Sequence, residues 1–487
     1  MRSKLVLLLV FLLFSTIRSV EALNIDLNKA IELALEKNAK LKQALASVEA
    51  AKAKVMQAEK ILYPTIDFQT TKTERGGASK SFPEFPSSLN PTPEDIFLYN
   101  FMKSLLGTLS SSSTSEYQTK ISLTYPLYLG GKKSSTIKSA KESLFAELEN
   151  LRQVKNEVLY SVAEAYYNLL KAKSAYSIAI DGKKLLEAHL EEVKARFNVG
   201  MTTRSDLIRA EVAVASAELD VIKAENALRV AELNLKFSIG LNRDDEIEVK
   251  EELAYSPLRG ELKEFLEEAF SKRPEILSIS HLVEALKANE KSVLAEYKPQ
   301  IYLSGSYQWS GDSFPPDRNS WSVALILSLN IFDGGEKESK LREIKANIKK
   351  LEATLENLKK SIALQVESAY LSVKEAEKRI KVAGAQVEKA YEDFKMSEEE
   401  YKAGVGTNLD VLDAQTAWKE MKNSYVQALY DFNVAVAKLI LAIGRDRFES
   451  PFKENHLVKL VSFNWMEQFC SGTASIGQSC RSQDMGV

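Results

Sequence analysis

Large apolar residues alternate with polar ones over residues 117–128, 300–309 and 321–331, and this pattern predicts half-exposed β-strands. A shorter alternation over residues 65–72 predicts a fourth strand. Strands of about ten residues that end in Trp or Tyr, as at Trp309 and Trp321, are typical of strands that cross a bilayer at a tilt. Lipid does not tolerate open sheet edges. Since four strands cannot close a pore, we expect several copies to share one barrel, and three copies would supply twelve strands.

Apolar residues elsewhere recur every three or four positions, which predicts helices. One helix is expected over residues 26–61, and two helical hairpins are expected at about 132–239 and 336–443. A helix of about 65 residues is roughly 100 Å long, so it must pack laterally against other helices rather than around a globular core. Residues 74–116 are rich in Ser, Gly and Pro and predict a polar loop, with a helical turn at about 94–106.

The two predicted hairpins have related tips. Residues 197–207 and 401–411 align without a gap at an offset of 204 residues, and each predicts a helix end, a tight turn and a capped helix start. Glycine closes the first helix of each hairpin, threonine caps the second, and aspartate follows at the acidic position of a capping box. The equivalent residues are Gly200 and Gly404, Thr203 and Thr407, and Asp206 and Asp410.

This internal repeat gives the predicted domain organisation. Residues 1–22 are expected to be a signal peptide, because a basic start precedes an apolar run at residues 5–14 that is too short to span a bilayer. No other apolar stretch is long enough for a transmembrane helix. Residues 23–240 form the first structural repeat, 241–260 a connector, and 261–444 the second repeat. Residues 445–487 form an irregular tail, in which Cys470 and Cys480 either pair in an oxidising compartment or have no role.

Composition excludes several kinds of function. The net charge of −2 gives no argument for nucleic-acid binding, and three His and two Cys leave little material for a metal site. Residues 130–134 follow a strand and open a helix, but the spacing of a phosphate-binding loop is missing and the second repeat has no lysine there. We therefore expect neither an enzyme nor a cofactor.

The ordered set of features resembles the TolC outer-membrane efflux family. The resemblance lies in the duplicated strands and hairpins, the Gly-Gly pairs at 130–131 and 334–335, the Phe-Asn-Val-Gly tip at 197–200, and the sequence at 409–414. It implies a mainly helical homotrimer, with a twelve-stranded β-barrel in the outer membrane that continues as an α-helical barrel through the periplasm. It also implies a passive exit duct of a tripartite efflux or type I secretion system, contacting outer-membrane lipid, a periplasmic adaptor and an inner-membrane pump.

The resemblance further implies an acidic constriction at the periplasmic tips. Asp410 and Asp413 match its carboxylates, and six of them around one trimer axis would repel one another and attract cations. Asp410 and Asp206 also have a simpler explanation as helix caps, whereas Asp413 has Arg209 as its repeat equivalent. Tyr401 matches a tyrosine that helps to hold the aperture shut.

The tip sequences depart from the family at Gly406, where a gating arginine is expected. The tips are also expected to dock the adaptor; the alternative is that both are merely tight turns. A non-transporting periplasmic coiled-coil or adaptor protein remains the alternative function. The residues expected to dock the adaptor are Val199, Gly200, Met201, Ala403, Gly404 and Val405.

Overall fold

The computed structural model describes residues 23–75, 92–109 and 114–445. The predicted signal peptide, most of the tail, and Cys470 and Cys480 lie outside these residues. The elements, in chain order, are β1 (Leu23–Asn24), α1 (Leu27–Lys37), α2 (Ala39–Glu59), β2 (Thr65–Arg75), α3 (Pro93–Leu109), β3 (Thr114–Leu129), α4 (Lys132–Asn198), α5 (Arg204–Ile239), β4 (Ile247–Glu248), α6 (Leu262–Lys272), α7 (Pro274–Leu294), β5 (Gln300–Gly311), β6 (Arg318–Ser328), α8 (Glu336–Ala403) and α9 (Asn408–Ile443).

Four of the strands form one antiparallel sheet in the order β2-β3-β5-β6. Its register brings the apolar positions of all four strands onto one face, since Phe68, Ile121, Tyr307 and Trp321 are successive partners across the sheet. The neighbouring row on the other face is polar and consists of Asp67, Ser122, Ser306 and Ser322. The sheet therefore has a continuous apolar face and a polar face, and β2 and β6 are its two unpaired edges.

Several elements differ from the sequence predictions in their limits. The predicted strand 321–331 is wrong at both ends, because β6 pairs with β5 from Arg318 to Ser328 and the next three residues leave the ladder. The predicted helix at 26–61 is two helices, α1 and α2, divided at Asn38. The helical turn expected at 94–106 is the longer helix α3. The two hairpins have the predicted limits to within one residue.

The long helices α4 and α8 run unbroken along the molecule, and the shorter helices stack end to end beside them. Towards the sheet, α4 packs between α2 and α7; towards the tips, it packs between α5 and α9. The end of α5 meets the start of α2, and the end of α9 meets the start of α7. Each repeat thus contains one long helix and one helix line that is interrupted by a joint.

Polar side chains close the two joints. Asn38 Nδ2 donates to the Ser238 carbonyl at 2.9 Å, so the cap of α2 also satisfies the last turn of α5. In the second repeat the buried guanidinium of Arg273 donates to the Ala442 carbonyl at 2.9 Å and pairs with Glu275 at 2.7 Å. A cation at a helix C-terminus is favourable against the helix dipole. These contacts hold each interrupted line in register.

By length and composition, one described helix, α9, could cross a membrane, and half of its apolar stretch is buried within the chain. Its buried side chains, among them Phe432 and Leu439, belong to the core shared with α8 and α6. The apolar character of α9 is thus explained by packing.

A substitution at Gly240 tests how closely α5 and α2 pack at their joint. Its φ of +84° is left-handed, and an added Cβ would lie 3.0 Å from the Lys37 carbonyl oxygen. Gly200 has a similar φ of +77° but open space around it. We expect Gly200→Ala to cost about 1–2 kcal/mol for the backbone alone, and Gly240→Ala to cost a further ~1–3 kcal/mol from crowding the joint.

The comparison is made by thermal unfolding of the detergent-solubilised protein, followed by circular dichroism at one heating rate because unfolding need not be reversible. Equal losses for the two variants would contradict close stacking of α5 on α2.

Candidate gating and docking site

The two hairpin tips have the same capped geometry. In each, a left-handed glycine ends the first helix, with φ of 77° at Gly200 and 79° at Gly404. A complete capping box begins the next helix. The Thr407 side chain accepts from the Asp410 backbone N–H at 3.3 Å, and the Asp410 carboxylate accepts from the Thr407 backbone N–H at 2.9 Å. The predicted turn and cap residues therefore fix where each helix begins.

The caps affect the charge of the tip carboxylates. Hydrogen bonds from the Thr203 side chain lower the pKa of Asp206, with a further contribution from Thr202, and those from Thr407 lower the pKa of Asp410. Because these pKa values are lowered on folding, the caps stabilise the tips at neutral pH and lose that effect as pH falls below the ordinary value of 3.8. This direction, seen within one protomer, is opposite to the upward shift that mutual repulsion in a trimer would cause.

The predicted docking residues are exposed at the ends of the turns. Val199, Met201 and Val405 are 69%, 73% and 82% exposed. The other predicted docking residues, Gly200, Ala403 and Gly404, are exposed as well. Each tip thus presents a small apolar surface that the protomer itself leaves uncovered.

Asp410 and Asp413 are both exposed and lie one turn apart at the start of α9. Asp206 is half-buried beneath its threonine partners at the start of α5. The carboxylate of Asp410 is committed to its cap. Asp413 lies one turn beyond the capping box, so helix capping does not explain why this position carries a carboxylate.

Tyr401 does not line an opening within the protomer. It is 5% exposed and packs in a small apolar core between the hairpins, with Val193, Phe394 and Val411. Its hydroxyl is enclosed and makes no hydrogen bond of normal geometry in the described chain. Burial raises the pKa of Tyr401, so its side chain stays neutral at physiological pH.

Arg196, on the first hairpin, contacts the tip of the second hairpin. Its guanidinium lies over the Tyr401 ring, 4.5 Å from the centroid, and donates to the Lys402 carbonyl at 3.0 Å. Glu192, one turn earlier on α4, pairs with the guanidinium at 3.0 Å and orients it. We call the set of Arg196, Tyr401 and Lys402 the tip clasp.

A buried polar pair lies beside the tip clasp. His189 Nε2 and Asn408 Oδ1 are 2.7 Å apart, and Asn408 Nδ2 donates to the Asp206 carbonyl at 3.1 Å. Asn408 therefore touches both helices of the first hairpin while it begins the last helix of the second. The His189 ring also packs on Tyr401, with centroids 5.2 Å apart.

Gly406 is closely packed against the preceding helix end. A Cβ there would lie 3.0 Å from Glu400 Cβ and 3.1 Å from the Tyr401 nitrogen, and the Gly406 N–H donates to the Glu400 carbonyl at 3.1 Å. The expected arginine would crowd this turn. In this chain the guanidinium that contacts Tyr401 comes from the opposite hairpin.

The sequence analysis missed Arg196, His189 and Asn408. Their contacts join residues more than 200 positions apart, and only the equal spacing of the tips could have indicated that the hairpins meet there. Among the described residues, no group of three or more His, Cys, Asp or Glu side chains could hold a metal ion.

The sequence profile of a family described as "Outer membrane efflux protein" matches residues 30–241 and 265–445. Outer membrane protein OprJ of Pseudomonas aeruginosa is 23% identical over 434 residues, covering 86% of this chain and 84% of that protein. Alkaline protease secretion protein AprF of the same species is 23% identical over 338 residues, covering 67% and 69%.

Solved structures show the same fold. VceC of Vibrio cholerae has a TM-score of 0.67 at 18% identity and covers 86% of this chain and 96% of its own. The open-state MtrE channel of Neisseria gonorrhoeae has a TM-score of 0.67 at 21% identity, with coverage of 88% and 93%. The profile match includes both hairpins and both tips. The resemblance found in the sequence is therefore confirmed: this chain belongs to the outer membrane efflux protein family.

Proposed function

We propose that three copies of this chain form a passive exit duct through the outer membrane, as part of a tripartite efflux or type I secretion system. Three sheets would close into a twelve-stranded barrel, and the hairpins would continue it as a helical barrel into the periplasm. Relatives named for efflux and for protease secretion support both kinds of system. An inner-membrane pump and a periplasmic adaptor would supply the cargo.

The four-stranded sheet is the observation that carries this proposal. Its apolar face needs lipid, and its edge strands β2 and β6 have no partner within the described chain. Backbone N–H and C=O groups left unpaired in hydrocarbon cost several kcal/mol each. Pairing β6 of one copy with β2 of the next removes both edges and places the polar face inside.

Single-channel recording of the purified mature protein in a planar bilayer tests the duct. We expect a small, cation-selective conductance that a multivalent cation blocks from the periplasmic side, because exposed carboxylates ring the narrow end. A protein that stayed soluble without detergent and formed no channel would contradict the proposal and favour the coiled-coil structural alternative.

The exposed carboxylates of Asp410 and Asp413 would face the trimer axis at the narrow end of the duct. Asp413 is the better candidate for the cation site, because its carboxylate is not engaged in a cap. We expect Asp413→Asn to weaken block by a multivalent cation about tenfold or more while the trimer still assembles. That loss would correspond to about 1.4 kcal/mol of lost attraction.

Glu225→Gln is the matched control, since Glu225 is a carboxylate on α5 that pairs with Arg229 at 2.6 Å, away from the tips. Block that is unchanged in Asp413→Asn, or equally weakened in the control, would argue against a cation site at Asp413.

The tip clasp would hold the duct nearly shut. It ties the two hairpins of one protomer together, and the narrow end cannot widen while the second hairpin is held against the first. A stacked guanidinium and a charge-assisted hydrogen bond at a partly exposed site contribute about 1–2 kcal/mol together. This contribution would shift the closed-to-open ratio by roughly 5- to 30-fold per protomer.

We therefore expect Arg196→Gln to raise the single-channel conductance or the open probability. Arg196→Lys should restore closure only in part, because lysine lacks the planar guanidinium that stacks on Tyr401. Arg229→Gln, which removes an exposed arginine of α5, serves as the control. A conductance in Arg196→Gln that matches the unaltered protein would exclude the clasp from closure.

The apolar tips would bind the adaptor. Val199, Met201 and Val405 lie at the far end of the duct from the sheet, where a periplasmic partner can reach them, and their exposure leaves apolar surface to bury. We expect Met201→Asp with Val405→Asp to abolish export in cells while leaving the bilayer conductance intact. Export that persists in this double variant, at a normal protein level, would contradict docking at the tips.

A further inference from the structure

Among the described residues, helix α3 is the largest feature that the duct does not use. It lies in the segment that joins β2 to β3, residues 76–113, whereas the equivalent strands β5 and β6 are joined by residues 312–317 alone. Its start is well specified, because Asp95 and Thr92 cap each other through the Thr92 N–H at 3.0 Å and the Asp95 N–H at 3.3 Å. The sequence thus encodes a definite helix at this place.

One side of α3 is strongly apolar and uncovered. Phe97, Leu98 and Phe101 are 72%, 60% and 56% exposed. The rings of Phe97 and Phe101 lie 6.4 Å apart, so the aromatic side chains form one continuous surface. Met102 shares this side, whereas Tyr99, Asn100 and Lys103 lie on the other side together with Ile96. The further large apolar residues exposed on this helix are Ile96 and Met102.

Water alone would not keep α3 folded. It makes no extensive contact with any other described helix or strand. A helix of 17 residues is marginal in water without packing of its apolar face. Its apolar side therefore needs a covering surface beyond the described helices and strands.

The chain restricts where that surface can be. Leu109 and Thr114 are five Cα–Cα steps apart, so α3 ends within about 18 Å of the start of β3. The other end of β3 leads through Gly130 and Gly131 into the periplasmic helix α4. The start of β3, and α3 with it, therefore lies at the outer rim of the sheet.

We infer that α3 lies flat in the outer lipid leaflet beside the barrel, with its apolar side in the acyl boundary. Phe, Leu and Met on one side, with Tyr99 next to them and Lys103 on the polar side, are typical of an interfacial helix, and Lys103 Nζ lies 5.8 Å from the Tyr99 ring centroid. The apolar face of the sheet ends at the same rim, so the two apolar surfaces are continuous in lipid.

Burial of apolar surface, rather than charge, drives this binding. The described part of α3 carries one cation, Lys103, against two carboxylates, Glu94 and Asp95, so an anionic lipid gains no electrostatic advantage. The competing occupant is a second copy of α3 at the mouth of the barrel. Three such helices would form an apolar cluster across the path of the cargo. The proposed barrel is otherwise lined by the polar face of the sheet, so we do not favour this arrangement.

Cysteine labels on opposite sides of α3 test this inference, which rests on the barrel and orientation proposed above. Leu98→Cys and Asn100→Cys are two residues apart and so lie on opposite sides of the helix. Val323→Cys marks the apolar face of the sheet. Each is made in the full-length chain with Cys470 and Cys480 replaced by serine, labelled with an environment-sensitive fluorophore, and placed in phosphatidylcholine nanodiscs.

We expect the label at position 98 to be quenched several-fold more by a lipid spin-labelled near the headgroup than the label at position 100, and to be shielded from iodide. The difference should be the same at low and high salt. A label at 98 that iodide reaches freely would show that α3 faces water and would overturn the inference.

Shielding of position 98 from both quenchers, with disulfide cross-links between protomers at that position, would place the helices against one another at the mouth and would also overturn it. The label at position 323 distinguishes a failure of the proposed barrel from a failure of the proposed placement of α3. If lipid fails to quench it, the barrel itself is contradicted; if lipid quenches it but not position 98, only the placement of α3 fails.

Discussion

The two unpaired edges of the sheet are the constraint on which the rest of the structure depends. A soluble protein could leave β2 and β6 open to water, but an apolar sheet face belongs in lipid, where every backbone group needs a partner. In the proposed barrel, copies of the chain would be placed around a common axis. The long helices and the tips at their far end would share that axis because they continue from the sheet. The position of the proposed aperture would then follow from how the strands pair.

The two repeats are alike in their scaffold and differ at the tips, where the gate is proposed. Both halves use Gly-Gly junctions, stacked helix joints and capping boxes at equivalent positions. At the tips the equivalents diverge, with Arg209 opposite Asp413 and Phe197 opposite Tyr401. Divergence at the exposed pair Arg209 and Asp413 costs the scaffold little, because exposed residues contribute little packing. Tyr401, by contrast, is buried in the core between the hairpins. The divergence of the tips allows one hairpin to carry the exposed carboxylates and the other to supply the arginine of the clasp.

The sequence predicted the local elements well because their signals are local. Alternation in β3, β5 and β6 indicated both faces of the sheet, and glycine with threonine located each tip. What it missed depends on residues far apart in the chain. Asn38 breaks a predicted helix to meet the end of α5, Arg273 contacts the end of α9, and Arg196 stacks on a tyrosine of the other hairpin. Gly406 shows the same limit: its sequence position indicated a lost arginine, whereas its contacts show a turn in which a side chain would be crowded.

Polar contacts between the hairpins fix the register of the helices, although each contact contributes little free energy. The buried stripes of α4 and α8 are apolar, and apolar burial is non-directional, so burial alone penalises a shift of one helix along another only weakly. Directional contacts penalise that shift, because a buried amide or imidazole left unpaired costs about 1–3 kcal/mol. Gln415 donates to the Gly182 carbonyl at 3.2 Å and Lys419 pairs with Asp220 at 2.6 Å, above the His189–Asn408 pair. Together with the joints at Asn38 and Arg273, these contacts fix the height of each tip along a helix of roughly 100 Å. The proposed constriction, built from side chains one turn apart, would require that precision.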